Sequence, residues 1–151
     1  MDLSNWDSKF MAMAENVATW SKDPSSKIGA IAVSDDYDVL SIGYNGFPRG
    51  VLDTPERLNN RDIKLKLVVH AEQNCIYNSS RNGVSLKGST LYVHGLPTCF
   101  ECAKAVIQSG IKCVVVSEKA IKKSEFWEQQ WEMSKELLDE ANIKYEVFID
   151  G

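Results

Sequence analysis

STLYVHGLPTCFECAKAVIQSGIKCVVV, residues 89–116, is the stretch whose reading decides the fold. Ser89 to His94 alternates as a strand does, Cys99 to Ser109 has helical spacing closed by Gly110, and Ile111 to Val116 is a short apolar run of the kind that fills a buried strand. Strand, helix and strand in succession call for parallel pairing with the helix packed on the sheet.

The same pattern continues on both sides. Upstream, Trp6 to Trp20 places Phe10, Met13, Val17 and Trp20 on one helical stripe, and Asp23-Pro24-Ser25-Ser26 ends it. Ile28 to Val33 and Val39 to Gly43 read as a hairpin around Asp35-Asp36-Tyr37-Asp38. Tyr44 to Leu67 reads as a long polar loop of functional character, and His70 to Ser80 as a helix stopped by Asn82-Gly83. Downstream, a helix is expected from Ser124 to Ala141, carrying Phe126, Trp127, Trp131, Leu137 and Leu138, and a last strand from Lys144 to Ile149. The order predicts an α/β fold: a mixed sheet with its later strands parallel and helices on both faces. At 151 residues, with 44% apolar and 25% charged residues, one domain over 1–151 accounts for the chain.

Composition excludes several classes of function. The net charge of −4, with scattered basic residues and a Glu-rich last third, disfavours a long nucleic-acid partner, which needs a basic stripe to displace counterions. The chain lacks an apolar run of the roughly 18 residues that a membrane span needs, and its start lacks a basic, then apolar, secretory pattern, so a cytoplasmic protein is expected. In that compartment the four cysteines, Cys75, Cys99, Cys102 and Cys113, point to metal binding at any close pair rather than to disulfides.

Two motifs open two of the expected helices: His70-Ala71-Glu72 and Pro97-Thr98-Cys99-Phe100-Glu101-Cys102. The Cys99 and Cys102 spacing sets both sulfurs on one face of a first turn, where the helix dipole favours thiolate. His70, Cys99 and Cys102 supply three ligands and leave the fourth tetrahedral position of a zinc ion open to water, as catalytic zinc requires. Glu72, two residues past His70, is free to accept and return a proton beside that water. A closed structural site would need Cys75 or Cys113. Cys75 lies roughly 140° round the helix from His70, and Cys113 reads as a small core residue. His94, just after a strand, reads as structural, and Trp127 and Trp131 as core or subunit contacts.

A His-x-Glu element with Pro-Cys-x-x-Cys marks the zinc deaminases. Here Thr98 stands between Pro97 and Cys99, a departure that alters the turn and leaves the ligand spacing intact. With Lys27-Ile28-Gly29-Ala30-Ile31, Gly43-Tyr44-Asn45-Gly46-Phe47-Pro48-Arg49-Gly50, Leu91-Tyr92-Val93, His70-Ala71-Glu72-Gln73-Asn74 and Cys102-Ala103, nearly the whole chain resembles the deoxycytidylate (dCMP) deaminases of the cytidine deaminase-like superfamily. The resemblance implies a three-layer α/β/α sandwich around a five-stranded mixed sheet. It also implies zinc-dependent hydrolysis of dCMP to dUMP and ammonia, which feeds thymidylate synthesis. In that scheme Glu72 moves the protons, the Ala71 amide holds the ring carbonyl and Asn45 contacts the sugar. Ser26 and Lys27 suit the phosphate, as Arg49 also could. The resemblance further implies a homo-oligomer, a hexamer in many relatives, activated by dCTP and inhibited by dTTP. The effector would bind at Tyr44, Asn45, Gly46 and Arg49, with Mg²⁺ on its triphosphate. The rival readings are a deaminase of dCTP or modified dCMP, riboflavin-pathway and free-nucleoside deaminases, a tRNA adenosine deaminase, and a non-catalytic zinc module.

Overall fold

The computed structural model describes residues 3–122 and 128–149. Five strands among them, β1 (Gly29–Val33), β2 (Val39–Tyr44), β3 (Thr90–His94), β4 (Cys113–Ser117) and β5 (Lys144–Phe148), form one sheet in the order β2-β1-β3-β4-β5. β1 runs antiparallel to β2 and β3, whereas β3, β4 and β5 are parallel, the mixed α/β sheet expected.

Helices cover both faces. On one lies α1 (Leu3–Ala18), whose Phe10, Met11, Ala14 and Val17 pack on Ile31, Val33, Tyr92 and Val115. On the other lie α4 (Ala71–Arg81), α5 (Phe100–Ser109) and α7 (Glu128–Glu140), whose Ala71, Cys75, Ala103, Val106, Trp131 and Leu138 meet Ala30, Ala32, Leu91, Val93, Val114 and Val116. Alternate residues of β1 and β3 thus feed two cores, as the pleat dictates. Cys113 begins β4 half-buried against the α1 side.

Three expectations are corrected, and a fourth falls in part outside the described residues. The buried stripe of α1 is Phe10, Met11, Ala14, Val17 and Ala18; Met13 is 38% exposed, and Trp20, beyond the helix end, is 51% exposed. The segment 44–67 is not all loop: it holds α2 (Pro55–Leu58) and α3 (Arg61–Leu67). Thr54 caps α2 by accepting from the Arg57 N–H, with Pro55 at the first position, and Asn60 Oδ1 accepts from the Ile63 N–H to start α3. A short helix, α6 (Glu118–Lys122), follows β4 where none was expected. The expected start of the last helix at Ser124, with Phe126 and Trp127, lies outside the described residues, while Trp131 is buried edge-on against Tyr145 at 5.5 Å.

Gly43 carries the packing that matters most for the site. A Cβ there would sit 2.3 Å from the backbone nitrogen of Cys75 and 2.5 Å from the carbonyl oxygen of Ala71, so α4 rests directly on β2. Asn78 Nδ2 donates to the Ile42 carbonyl at 2.8 Å and Ser41 Oγ to the Cys75 carbonyl at 2.6 Å, which sets the helix's position along the strand.

Candidate active site

His70 and Cys99 are the capping residues of α4 and α5, each in extended backbone just before its first helical turn. The chain reaches His70 through a two-residue bridge: the Gly46 N–H donates to the Val69 carbonyl at 3.1 Å, and the Val69 N–H returns to Gly46 at 2.8 Å. Gln73 Oε1 accepts from the His70 N–H at 3.3 Å, tying the cap to its own helix.

The two helix starts face each other, and three ligating atoms converge. Nδ1 of His70 lies 3.3 Å from Cys102 Sγ and 3.4 Å from Cys99 Sγ, and all three atoms fall within 4.8 Å of one another. A tetrahedral zinc ion about 2.1 Å from nitrogen and about 2.3 Å from sulfur holds N and S about 3.6 Å apart, so the donor set and its spacing fit that ion. Cys75 is fully buried in the core and does not join the group.

The electrostatics suit a cation. The Cys102 thiol beside Cys99, opposed by burial and helped by His70, holds Cys99 down at about 4, so it is a thiolate at neutral pH. The same contact keeps Cys102 protonated, and the Cys99 contact raises His70. The thiolate of one cysteine, the proton of the other and the imidazole between them form a proton-sharing set that a divalent ion replaces.

Glu72 occupies the second position of α4 and is 4% exposed. Burial first, then the Cys99 charge, pushes it up to about 7, while His70 opposes. Thr98, the residue that departs from the family pattern, is fully buried next to it. Its hydroxyl faces the Glu72 carboxylate and favours the charged form, without reaching full hydrogen-bonding geometry.

Glu72, His70 and Cys99 line one cleft with Asn45, Ser26, Ile28 and Pro97. Asn45 is a hub of this wall: its Oδ1 accepts from the Ile28 N–H at 2.9 Å and its Nδ2 donates to the Ser26 carbonyl at 2.8 Å. Ala71 is buried at the first position of α4, and its N–H is one of those that a helix start leaves without an intrahelical acceptor. Lys27 is not among the cleft residues; its ammonium is bonded to the Ser21 carbonyl. His94 ends β3 and is also absent from the lining.

Tyr44, Gly46 and Arg49 line a separate open groove with Asn74, Tyr77 and Arg81; Asn45 lines the cleft and shares a smaller hollow with Tyr44 and Gly46. Arg49 donates to Asn78 Oδ1 at 2.7 Å there.

Asp23, Ser25, Arg61 and Lys64 also line the cleft and went unnoticed in the sequence. The signals existed: Thr54-Pro55 and Asn60 are helix-start residues, and they announce the α3 that carries Arg61 and Lys64.

Residues 4–118 match the family model described as "Cytidine and deoxycytidylate deaminase zinc-binding region". The chain is 38% identical over 153 residues to the deoxycytidylate deaminase of Pongo abelii, covering 98% of this chain and 82% of that protein. It is 34% identical over 142 residues to an uncharacterized deaminase in the luxG 3′ region of Aliivibrio fischeri, covering 94% and 92%. The fold is shared with the dCMP deaminase of cyanophage S-TIM5, solved in complex with dCMP and dUMP, at a TM-score of 0.71 and 24% identity over 97% of this chain and 98% of that one.

Proposed function

This chain belongs to the cytidine and deoxycytidylate deaminase family of hydrolases, and from that premise we propose that it converts dCMP to dUMP and ammonia with one zinc ion held by His70, Cys99 and Cys102. The observation that carries the reading is the convergence of those three ligating atoms beside a carboxylate that is almost wholly buried. Zinc, when bound, supplies the Lewis acidity that makes water nucleophilic near neutral pH. Glu72 takes the proton of the attacking water and gives it to the ring nitrogen beside the reacting carbon; it then takes the proton of the newly added hydroxyl and gives it to the amine, which leaves as ammonia as the C–N bond breaks and the ring carbonyl forms. Burial of Glu72 suits it to both halves of that task, because a carboxyl group held near neutrality both accepts and releases protons.

The Ala71 N–H receives the ring carbonyl, and the wall that Asn45 braces, including Ser26, lies along the sugar and phosphate. The groove of Tyr44, Gly46, Arg49 and Arg81 takes a triphosphate effector with Mg²⁺: dCTP activates and dTTP inhibits. Two guanidinium groups and two tyrosines line that groove, which supports the regulatory reading. We place the enzyme in the cytoplasm, as a homo-oligomer of hexameric type. Among the described residues no helix is long and apolar enough to cross a membrane.

Ammonia release from dCMP, deoxycytidine and dCTP by the zinc-loaded protein tests this reading. Turnover of dCMP above the other two, raised by dCTP and lowered by dTTP, is expected. Absence of turnover on all three removes the proposal, and preference for dCTP moves it to a triphosphate deaminase. Rates indifferent to both effectors, with no binding of either, remove the regulatory half alone.

A further inference from the structure

The α3 wall of the cleft carries charge that deamination itself leaves unused. Asp23 and Lys64 form an ion pair there at 3.1 Å, with side chains only 8% and 7% exposed. The same Asp23 oxygen accepts the N–H groups of Ser25 at 2.8 Å and Ser26 at 3.1 Å, and Lys64 Nζ also reaches Ser25 Oγ at 3.1 Å. Two of the three ammonium protons of Lys64 are thereby assigned, and the third is open to another acceptor. Carboxylate and ammonium cancel, so this pair leaves the wall neutral.

Arg61 breaks that neutrality. It lies three residues before Lys64 on α3, the spacing that puts both side chains on one helix face. It lines the same cleft, is exposed, and makes no ion pair or side-chain hydrogen bond among the described residues. Arg61 and Lys64 are the cationic side chains of the cleft lining, and Asp23 and Glu72 are its carboxylates. With Asp23 matched to Lys64, the Arg61 guanidinium is the cleft cation without an ion-pair partner among the described residues. A planar fork of donors beside the free proton of an ammonium is the arrangement that grips a phosphomonoester.

We infer that Arg61, backed by Lys64 and the hydroxyls of Ser25 and Ser26, receives the 5′-phosphate of the substrate and makes the cleft selective for a nucleotide over its nucleoside. This inference rests on the cytosine-nucleotide reading and names the part of the site that distinguishes its substrates. It assigns the phosphate's cations to α3 rather than to Lys27, which is not among the residues that line the cleft. Asp23 is the organiser: by holding both the 25–26 turn and Lys64 it presents the donors at one place before the substrate arrives.

Substituting Lys64 would strand a buried carboxylate and threaten the fold, so the test is made at Arg61. Calorimetric titration of the zinc-loaded protein with dUMP and with deoxyuridine compares wild type, Arg61→Ala and Arg61→Lys. In the wild type dUMP binds more tightly than deoxyuridine. Arg61→Ala is expected to weaken dUMP by at least about tenfold, the worth of one charge-assisted contact, and deoxyuridine by less than about twofold. Arg61→Lys recovers part of the loss, since it restores charge without the fork. Equal weakening of both ligands, unchanged dUMP affinity in Arg61→Ala, or a wild type that binds dUMP no better than deoxyuridine overturns the inference. If the wild type releases no ammonia from dCMP, the proposed reaction falls by itself, and the dUMP and deoxyuridine comparison still decides the role of Arg61.

Discussion

At Glu72, catalysis and stability pull in opposite directions. The carboxyl group is buried two residues beyond the candidate metal ligand His70, and its ionisation is pushed up to about 7 from an ordinary 4.5. The folded chain therefore binds more protons than the unfolded chain between those values. Its contribution to stability is fullest below pH 4.5 and is lost as pH rises through 7, a change worth roughly 3 kcal/mol. Glu72→Gln removes the charge and keeps the shape. In chelator-treated protein it should be more stable than wild type by about 2–3 kcal/mol at pH 8, with the difference shrinking toward pH 5, in urea titrations at both pH values. Its turnover of dCMP should fall at least about a hundredfold. Retained turnover would remove Glu72 from the mechanism. This residue was legible in the sequence because His-x-Glu sits next to a helix start, whereas Arg61 and Lys64 were not. Their relevance depends on a short helix whose capping residues looked like loop residues.

Among the elements, α4 bears the most on the site, since it carries Ala71 and Glu72 and begins just after His70. Its seat is Gly43 of β2, where backbone atoms of Ala71 and Cys75 leave no room for a Cβ. Main-chain atoms cannot swing away as a side chain can, so Gly43→Ala must lift the helix. A loss of about 3 kcal/mol is expected from denaturant midpoints, with weaker zinc binding because His70 moves away from the cysteines. A variant as stable as wild type would show that α4 is held elsewhere. Gly43 stands in the sequence as part of a glycine-rich segment, but its contact with a helix begun 28 residues later is a tertiary fact. The exposure of Met13 and Trp20 on the α1 side has the same origin. Helical spacing defines a stripe, and only the sheet decides which stripe faces inward.

For the molecule as a whole, the proposed metal would join two elements far apart in sequence. His70 precedes α4, and Cys99 and Cys102 come from the start of α5, so a zinc ion held by the three would bridge helices otherwise related by packing on a common sheet. Zinc at a thousandfold excess over its dissociation constant should add about 4 kcal/mol, or about 10 °C in thermal melts of a chain this size. Thiol chemistry reports the same site. Cys99 is a thiolate from about pH 4 upward, while burial holds Cys75 up at about 12 and Cys113 at about 11. In chelated protein iodoacetamide should therefore alkylate Cys99 at a rate nearly flat from pH 6 to 9 and leave Cys75 and Cys113 unmodified. Zinc should suppress the reaction, as peptide mass mapping would show. Alkylation of Cys99 indifferent to zinc would argue against its place among the ligands.

The amino-acid order by itself determined the five strands, the longer helices, the mixed sheet and the residue types of the candidate metal set, but not the short helices α2, α3 and α6. Those follow from periodicities and spacings within about thirty residues, where local geometry and side-chain type carry the information. Tertiary structure decided which residues share the cleft. Asn45 lines the cleft while Arg49 lies in a separate groove, Lys27 stays outside the cleft lining, and Asp23 meets Lys64 across 41 residues. Such pairings depend on where separate elements come to rest on the sheet, and no local pattern in the chain encodes a distance between them.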